Sequence, residues 1–306
     1  MTTLKQLAGN KPRLVSGHRL CPGCGMPAIL KQVTSVVSDP MVIINATGCF
    51  EICTGAYPYT SWNCSWIHSL FENTAAVASG VESAYKALQK RGKLQENFKF
   101  LALGGDGGTY DIGFQALSGA MERGHKFVYL CFDNEGYMNT GYQRSGATPL
   151  YAHTTTSPAG SAIPGKTQGR KDLTGIMVAH KIPYVAQASA SNWADLTMKA
   201  EKAFEADGPA FLNVLSQCPT SWKTKPEDGI KKMKQAVESN FWPLYEVEHG
   251  KYKINYKPKE RLPIKEWLAE QGRFKHLFKE GNEKLIAEIQ EDVDDAWKGL
   301  LAKENN

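Results

Sequence analysis

Short apolar runs alternate with longer amphipathic segments through the first two thirds of the chain. Each apolar run spans six residues and is followed closely by glycine or polar residues, which predicts buried strands. The predicted strands are residues 41–46, 98–103, 127–132, 183–188 and 210–215. The predicted helices are residues 26–37, 72–90, 112–123, 172–180, 192–206, 262–270 and 282–302. This alternation indicates an α/β fold with a mostly parallel sheet and helices on both faces.

Three stretches depart from the alternation. Residues 50–66 form an aromatic loop, and residues 137–170 form a Gly-, Ser-, Thr- and Pro-rich segment far longer than a usual connection, which predicts a functional loop. Beyond residue 222 the character changes, and residues 251–265 carry six Lys and Arg against one acid, a pattern typical of a solvated face. We therefore expect an α/β domain at residues 1–222. We expect residues 223–306 to be a helical extension packed on that domain or on partner subunits.

Composition and charge narrow the class of protein. The 306 residues are 42% hydrophobic and 22% charged, as in ordinary globular proteins. The net charge of +5 comes without basic residues interleaved with aromatics, so no nucleic-acid binding is predicted. No run approaches the roughly 18 apolar residues of a membrane span, and residues 1–5 do not begin a signal peptide. We expect a cytoplasmic protein with no membrane partner.

Two polar motifs follow neighbouring predicted strands. Residues 98–103 end at a run of four glycines around Asp106, and residues 127–132 end at Asp133-Asn134. The carboxyl ends of parallel strands meet at one edge, where open α/β sheets bind ligands. The glycines (104, 105, 107 and 108) allow backbone N–H groups to approach a phosphate, and the next helix directs its positive end there. Asp106 and Asn134 offer oxygen ligands that suit Mg²⁺. A glycine-rich turn alone is common, but Gly-Asp-Gly followed by Asn, with 27 residues between the Asp and the Asn, resembles the thiamine-diphosphate enzymes.

Seven cysteines in a cytoplasmic chain favour metal or redox chemistry over structural disulfides. Cys21 and Cys24 form a C-x-x-C pair, while Cys49 and Cys218 follow predicted strands. Four such thiolates can bind Zn²⁺ or an iron–sulfur cluster, and spacing does not separate the two. A thioredoxin-like pair is disfavoured because the C-x-x-C does not follow a first strand.

The other three cysteines have separate interpretations. Cys131 lies inside an apolar strand and is predicted to be a core thiol. Cys53 is the main competitor as a metal ligand. Cys64 lies in the aromatic loop without an evident partner.

From about residue 17 to residue 274, the chain resembles the β subunit of multi-subunit pyruvate:ferredoxin oxidoreductases, members of the 2-oxoacid:ferredoxin oxidoreductase family. The resemblance rests on many specific motifs: GHRLCPGCG, ATGCFE, YPYTSW, IHSLFEN, GGDGGTYDIG, DNEGYMNTGYQRSGATP and CPTSW. It implies a thiamine-diphosphate-binding fold of the diphosphate-binding type. It also implies three cofactors, namely thiamine diphosphate, Mg²⁺ and one [4Fe–4S] cluster.

The resemblance carries residue roles with it. It implies cluster ligands at Cys21, Cys24, Cys49 and Cys218, and Mg²⁺ ligands at Asp106, Asn134 and the backbone carbonyl of Gly136. It places Gly105, Gly107, Gly108, Asn139 and Thr140 at the cofactor, with Asn139 and Ile52 as catalytic residues and Ile52 and the YPYT loop facing the substrate. The glutamate that activates the cofactor belongs to another subunit, so neither Glu51 nor Glu72 is assigned that role.

The implied reaction is oxidative decarboxylation of pyruvate to acetyl-CoA and CO₂, with electrons passing through the cluster to ferredoxin in anaerobic metabolism. The implied partners are an α subunit that supplies the pyrimidine half-site, ferredoxin-like γ and δ subunits, external ferredoxin, coenzyme A and a small 2-oxoacid. Asn63-Cys64-Ser65 departs from the more apolar residues of the pyruvate enzymes. A more polar wall would suit another small 2-oxoacid, such as oxalate or 2-oxobutyrate.

Two further readings come from other classes of protein. The first is a non-redox thiamine-diphosphate decarboxylase with a structural zinc. The second is a binding or structural protein in which the glycine run is only a turn, and this reading leaves the Asp106–Asn134 pairing without a reason.

Overall fold

A computed structural model describes residues 3–305. Residues 1 and 2, at the start of the predicted α/β domain, and residue 306, at the end of the predicted extension, lie outside the described part. Within residues 3–305, the strands are β1 (Met41–Ala46), β2 (Ser65–Ser69), β3 (Lys99–Gly105), β4 (Val128–Asp133), β5 (Tyr184–Ser189), β6 (Ala210–Leu215), β7 (Tyr245–Glu248) and β8 (Lys251–Ile254). They form one sheet in the order β2-β1-β3-β4-β6-β5-β7-β8. The first six strands are parallel, and β7 and β8 are antiparallel. The predicted mostly parallel sheet is confirmed.

The helices connect the strands and extend the chain beyond them. They are α1 (Leu4–Gly9), α2 (Met26–Thr34), α3 (Cys49–Thr54), α4 (Thr74–Lys90), α5 (Phe114–Glu122), α6 (Leu173–Ala179), α7 (Trp193–Glu205), α8 (Pro219–Trp222), α9 (Gly229–Glu238), α10 (Ile264–Ala269) and α11 (Glu283–Asn305). A π-helical turn (Gly107–Ile112) precedes α5, and 3-10 turns lie at Pro226–Asp228 and Gly272–Phe278. None of the helices in residues 3–305 combines the length and apolar character that crossing a bilayer requires.

Both faces of the sheet are buried because successive side chains of a strand point to opposite sides. In β3, Leu101 and Leu103 join one hydrophobic cluster, whereas Phe100 and Ala102 join the other. Parallel strands covered on both faces read as continuous apolar runs, which is why the sequence predicts them well. The expected helices on both faces are confirmed.

All five predicted strands are present. The sequence did not predict the helices and strands of two further stretches. Residues 50–66 contain α3 and the start of β2, and residues 223–261 contain α9, β7 and β8. β2 is an edge strand with mostly exposed or half-buried side chains, so it lacks an apolar run. Strands β7 and β8 are only four residues long. The helix predicted at residues 112–123 starts at Phe114, because the π-helical turn uses the preceding residues.

The C-terminal segment contributes directly to the sheet and to the core. Val247 of β7 pairs with Val185 of β5, so the antiparallel pair extends the same sheet. Trp267 is fully buried, with its ring 5.9 Å from that of Trp222 and 4.2 Å from that of Phe241. We propose that residues 223–306 fold together with residues 1–222 as one unit.

The Trp267→Ala variant tests this proposal. Loss of a fully buried indole from the contact between the two segments should lower the free energy of unfolding by about 3–5 kcal/mol in a single transition. Urea denaturation of the purified chain, followed by circular dichroism, measures it. The control is Trp193→Ala, whose side chain is 43% exposed and which should change the free energy by about 0.5 kcal/mol. Two separate transitions in the wild type would show that the segments fold independently.

Candidate functional site

A cleft of about 240 Å³ opens at the carboxyl ends of β1 and β3. The chain leaves β1 towards β2 on one side and leaves β3 towards β4 on the other, so the strand order reverses between them. Such a switch point is where doubly wound sheets bind ligands, because two loops diverge and leave a crevice. The cleft is lined by Met26, Asn45, Ala46, Thr47, Gly48, Cys49, Phe50, Phe71, Gly104, Gly105, Gly107, Phe132, Asn134, Gly136, Tyr137, Met138, Asn139 and Thr140.

The predicted glycine loop supplies one wall of this cleft. Gly105 ends β3, and a Cβ added there would meet no protein atom within 4 Å, so the backbone is bare on that side. A Cβ on Gly107 would lie 2.7 Å from the Tyr137 ring, which holds the loop against the next motif. Gly108 lies behind the wall, where a Cβ would be 3.1 Å from the Phe71 carbonyl oxygen. The structure thus brings three of the four predicted glycines, Gly104, Gly105 and Gly107, to the cleft and leaves Gly108 in a packing position.

Asp106 is completely buried directly behind the wall. Its Oδ2 accepts a hydrogen bond from Ser145 Oγ at 2.5 Å, and its Oδ1 accepts one from the Asn134 N–H at 3.2 Å. Burial, and next the charge of nearby Asp133, raise the pKa of Asp106 well above its ordinary value. A buried carboxylate of this kind is stabilised by a positive charge brought to it.

Three oxygen-bearing groups converge where β3 and β4 end. In one orientation of the Asn134 amide, its Nδ2 donates to Asp106 Oδ1 at 2.8 Å and to the Gly136 carbonyl at 2.9 Å. In the other orientation the side-chain oxygen occupies that position, and three oxygens face one another. Adjacent ligands in an octahedral Mg²⁺ site with bonds of 2.0–2.1 Å lie about 2.9 Å apart. The Asn134 side chain therefore lies as far from Asp106 Oδ1 and from the Gly136 carbonyl as adjacent magnesium ligands lie from each other.

The residues predicted on the substrate side are placed differently. Asn139 and Thr140 are exposed and line the cleft, and Thr140 Oγ1 donates to Gln143 Oε1 at 2.5 Å. Ile52 is 49% exposed on α3, outside the lining of the cleft within this chain. In the YPYT loop, Tyr57 is 96% exposed and Tyr59 is 75% exposed. An open cleft flanked by exposed apolar side chains is typical of a site completed by another protein surface.

The residues that depart from the family motif also lie outside the cleft. Asn63 is exposed, its N–H donates to the Arg13 carbonyl at 2.9 Å, and its side chain donates to the Pro12 carbonyl at 3.4 Å. Ser65 begins the edge strand β2, and Cys64 is partly buried. These positions join the N-terminal arm to the sheet. A more polar substrate wall at these positions stays a prediction.

The four cysteines predicted as ligands gather near the same edge of the sheet. Cys49 begins α3 directly after β1 and lines the cleft. Cys218 follows β6, and the carbonyl of its neighbour Gln217 accepts a hydrogen bond from Gly25 N–H at 3.2 Å, beside Cys24. The Cys24 N–H in turn donates to the Cys21 carbonyl at 3.0 Å. One hydrogen bond therefore ties the C-x-x-C loop to the loop that carries Cys218.

Electrostatics shows that these thiols are neighbours. Burial raises the pKa of Cys24 to about 12, with additions from Cys218, Cys49 and Cys21. The pKa of Cys49 is raised to about 12 by burial, then by Cys218 and Cys53. Within residues 3–305, however, no three His, Cys, Asp or Glu side chains converge closely enough to hold a metal ion.

Several residues at the site were missed by sequence reasoning. Ser145 holds the Asp106 carboxylate, although it lies 39 residues further along the chain. Glu135, Arg170 and Arg273 form a buried ion network behind the turn between Asp133 and Gly136. A polar motif directly after a strand gives no sign of partners so distant in sequence.

Comparison with known proteins identifies relatives of this chain. Residues 46–214 match the family model described as thiamine pyrophosphate enzyme, C-terminal TPP binding domain. Pyruvate synthase subunit PorB of Thermotoga maritima is 48% identical over 98% of this chain and 96% of the relative. The PorB subunit of Methanocaldococcus jannaschii is 51% identical over 93% of this chain and 95% of the relative. Ketoisovalerate oxidoreductase subunit VorB of Pyrococcus abyssi is 41% identical, with coverages of 93% and 91%.

Among solved structures, 2-oxoglutarate:ferredoxin oxidoreductase from Magnetococcus marinus superposes with a TM-score of 0.57. The match is 24% identical in sequence and covers 68% of this chain and 67% of the other. It supports the fold.

The fold and the glycine-walled cleft place the chain among the thiamine pyrophosphate enzymes, as a carrier of their C-terminal cofactor-binding domain. More narrowly, it belongs to the family of PorB- and VorB-type subunits of the thiamine-diphosphate-dependent 2-oxoacid:ferredoxin oxidoreductases. The resemblance found in the sequence is confirmed.

Gly105→Ala and Gly107→Ala form a matched pair that tests the cleft wall. A methyl group on Gly105 meets no protein atom, so we expect Tm to change little. The same methyl group should weaken thiamine-diphosphate binding at least about tenfold, or roughly 1.4 kcal/mol, because it keeps the diphosphate from the backbone. Gly107→Ala should lower Tm as well, because its methyl group overlaps the Tyr137 ring.

Isothermal titration of the cofactor-depleted complex measures the affinity for thiamine diphosphate, and differential scanning calorimetry measures Tm. Unchanged cofactor affinity in Gly105→Ala would show that the diphosphate binds elsewhere.

Proposed function

We propose that this subunit holds thiamine diphosphate and a [4Fe–4S] cluster side by side for the oxidative decarboxylation of pyruvate to acetyl-CoA and CO₂. One observation carries the proposal. Cys49, a predicted cluster ligand, lines the same cleft as Gly105, Asn134 and Gly136. A cofactor bound in this cleft would therefore lie beside the Cys49 thiol, which could bind an electron acceptor.

The Mg²⁺ that anchors the diphosphate would be held by Asp106, Asn134 and the Gly136 carbonyl. The Asn134 side chain is spaced from Asp106 Oδ1 and from the Gly136 carbonyl like an adjacent octahedral ligand, and the remaining positions suit phosphate oxygens and water. The fully buried Asp106 would regain the charge compensation that burial denies it. Gly105 leaves the backbone open to the diphosphate.

The cluster would be held by Cys21, Cys24, Cys49 and Cys218. Binding to iron would keep these thiols deprotonated against the burial that raises the pKa of Cys24 and Cys49. Cys53 is a competing ligand because it lies near Cys21 and Cys49, as their mutual effects on pKa show. The non-redox alternative with a structural zinc has less support, since the VorB relative is a subunit of a ketoisovalerate oxidoreductase.

When bound, thiamine diphosphate supplies the electron sink for decarboxylation, and the cluster supplies an acceptor for the electrons. The residues of the chain provide position and shape. Asn139 and Thr140 line the open side of the cleft, where the substrate would approach. Ile52 and the YPYT loop would face the substrate only after an α subunit closes the site and adds the pyrimidine-binding half. Their exposure in this chain supports that arrangement.

The wider setting follows from the same proposal. The complex would include ferredoxin-like γ and δ subunits, pass electrons to external ferredoxin and take coenzyme A as the acyl acceptor. It would work in the cytoplasm under anaerobic conditions. None of the seven cysteines, all within residues 3–305, forms a disulfide, which fits a reducing compartment.

Substrate choice is tested with the anaerobically purified complex. We expect ferredoxin or viologen reduction with pyruvate and coenzyme A, at a kcat/KM at least about tenfold above the values for oxalate, 2-oxobutyrate and 2-ketoisovalerate, a difference of about 1.4 kcal/mol. The PorB relatives support pyruvate, and Asn63, Cys64 and Ser65 are not among the residues that line the cleft. Reduction with oxalate but not pyruvate would contradict the assignment.

Asp106→Ala and Cys218→Ala should separate the two cofactors. Asp106→Ala removes a direct ligand of Mg²⁺, so retention of thiamine diphosphate should fall more than about 100-fold while the iron content stays unchanged. Cys218→Ala should lose the cluster iron of this subunit and keep the cofactor. Iron analysis, EPR and cofactor release assays measure both.

Cys53→Ala serves as the matched thiol control and should keep both cofactors. Loss of the cluster in Cys53→Ala but not in Cys218→Ala would overturn the ligand assignment.

A further inference from the structure

Glu135, the residue between the two candidate magnesium ligands of the β4 turn, has an unusual backbone conformation. Its φ is +70°, in the left-handed region that side chains other than glycine seldom adopt. Its side chain is only 1% exposed. The turn at Glu135 sets the direction of the Gly136 carbonyl relative to the Asn134 side chain. Whatever holds Glu135 therefore sets the geometry of both ligands.

Two arginines hold the Glu135 carboxylate, one on each oxygen. Arg273 Nη2 donates to Oε2 at 2.5 Å, and Arg170 Nη1 donates to Oε1 at 3.2 Å. Arg170 comes from the long loop after β4, and Arg273 from the 3-10 turn after α10, 138 residues away from Glu135. The carboxylate is thus clamped from two separate parts of the chain.

Both guanidinium groups are fixed by further contacts. Arg273 donates through Nε and Nη2 to Gln271 Oε1 at 2.9 and 2.7 Å, and its guanidinium carbon lies 4.0 Å from the centre of the Trp222 ring. Arg170 donates to the Ala147 carbonyl at 2.8 Å and also pairs with Asp133. Planar guanidinium groups held at several points retain their orientation, as a flexible lysine would not.

The backbone carbonyl groups of residues 133–136 differ in their hydrogen-bond donors. The Asp133 carbonyl accepts from Ser216 N–H at 2.7 Å, and the Asn134 carbonyl accepts from Trp222 Nε1 at 3.0 Å. The Glu135 carbonyl accepts from Thr148 Oγ1 at 2.7 Å. The Gly136 carbonyl has, in residues 3–305, only the side chain of Asn134 as a possible donor, and only in one amide orientation. The one carbonyl without a fixed donor is the one that faces Asp106 and Asn134.

We propose that Arg273 and Arg170, acting through Glu135, are positioning residues that aim the Asn134 side chain and the Gly136 carbonyl at the divalent cation of the cofactor. The inference rests on the magnesium site of the proposed function. It gives the C-terminal segment a part in constructing that site, since Arg273 lies within it. Removing a residue that holds a direct metal ligand in place commonly weakens metal affinity about 10–100-fold.

The test compares Arg273→Met and Arg273→Lys with wild type in the intact complex. After removal of thiamine diphosphate and metal, Mg²⁺ is titrated at saturating thiamine diphosphate and binding is followed by calorimetry. Mn²⁺ in place of Mg²⁺ adds an EPR signature of the bound ion. We expect Arg273→Met to raise the Mg²⁺ concentration at half-saturation at least about tenfold and to change the Mn²⁺ spectrum. Arg273→Lys keeps the positive charge but loses the planar guanidinium group. Its half-saturating Mg²⁺ concentration should therefore lie between those of wild type and Arg273→Met.

Lys199→Met is the matched control. Lys199 is fully buried, donates to the Gln187 carbonyl at 2.8 Å and to Asp195 Oδ2 at 2.7 Å, and lies on α7 away from the turn. It should lower Tm without moving the Mg²⁺ titration. Equal Mg²⁺ titrations for wild type, Arg273→Lys and Arg273→Met would overturn this proposal alone, as would an equal shift in Lys199→Met. If Arg273→Met does not fold, the direction of the shift in Arg273→Lys decides. A wild-type complex that binds no Mg²⁺ with thiamine diphosphate overturns the proposed function as well.

Discussion

The constraint on which the site depends is the burial of the Asp106 carboxylate beside a second buried carboxylate, Asp133. A charge removed from water is costly unless a partner compensates it. Arg170 compensates Asp133, whereas the hydrogen bonds that Asp106 accepts within residues 3–305 come from the hydroxyl of Ser145, the backbone N–H of Asn134 and, in one orientation, the Asn134 amide. None of these groups brings a positive charge. The oxygen-bearing groups gathered around it therefore suit a cation, and a cation at this position provides an anchor for a diphosphate.

The parallel sheet brings the other parts of the proposed catalyst to the same edge. Cys49 follows β1, Gly105 ends β3, Asn134 follows β4 and Cys218 lies three residues beyond β6. All four strands point the same way, so their carboxyl ends form one rim. In the proposed function, neighbouring cofactors would follow from strand direction, and an electron leaving the cleft would have a thiol ligand on the cleft wall at Cys49.

The features that could be predicted from the sequence are those with local signals. Buried parallel strands read as apolar runs, and the glycines around Asp106 and the Asp133-Asn134 pair stand directly after such runs. Contacts between distant residues have no such signal. Nothing near Arg273 indicates that it reaches Glu135 across 138 positions, and the exposed edge strand β2 lacks the apolar run that marks the others. Gly108 shares the motif of Gly105 and Gly107, yet a π-helical turn places it against Phe71 instead of on the cleft wall.

The proposed function requires the cation site to lie near the four thiols. Paramagnetic coupling between a bound Mn²⁺ and the cluster depends directly on this distance. With Mn²⁺ in place of Mg²⁺ and thiamine diphosphate bound, the reduced cluster of this subunit should relax much faster than in the Mg²⁺ form of the complex. The affected EPR component should be the one that Cys218→Ala removes, which separates it from clusters of other subunits. Identical cluster relaxation with Mn²⁺ and Mg²⁺, at full occupancy of both cofactors, would contradict a shared edge.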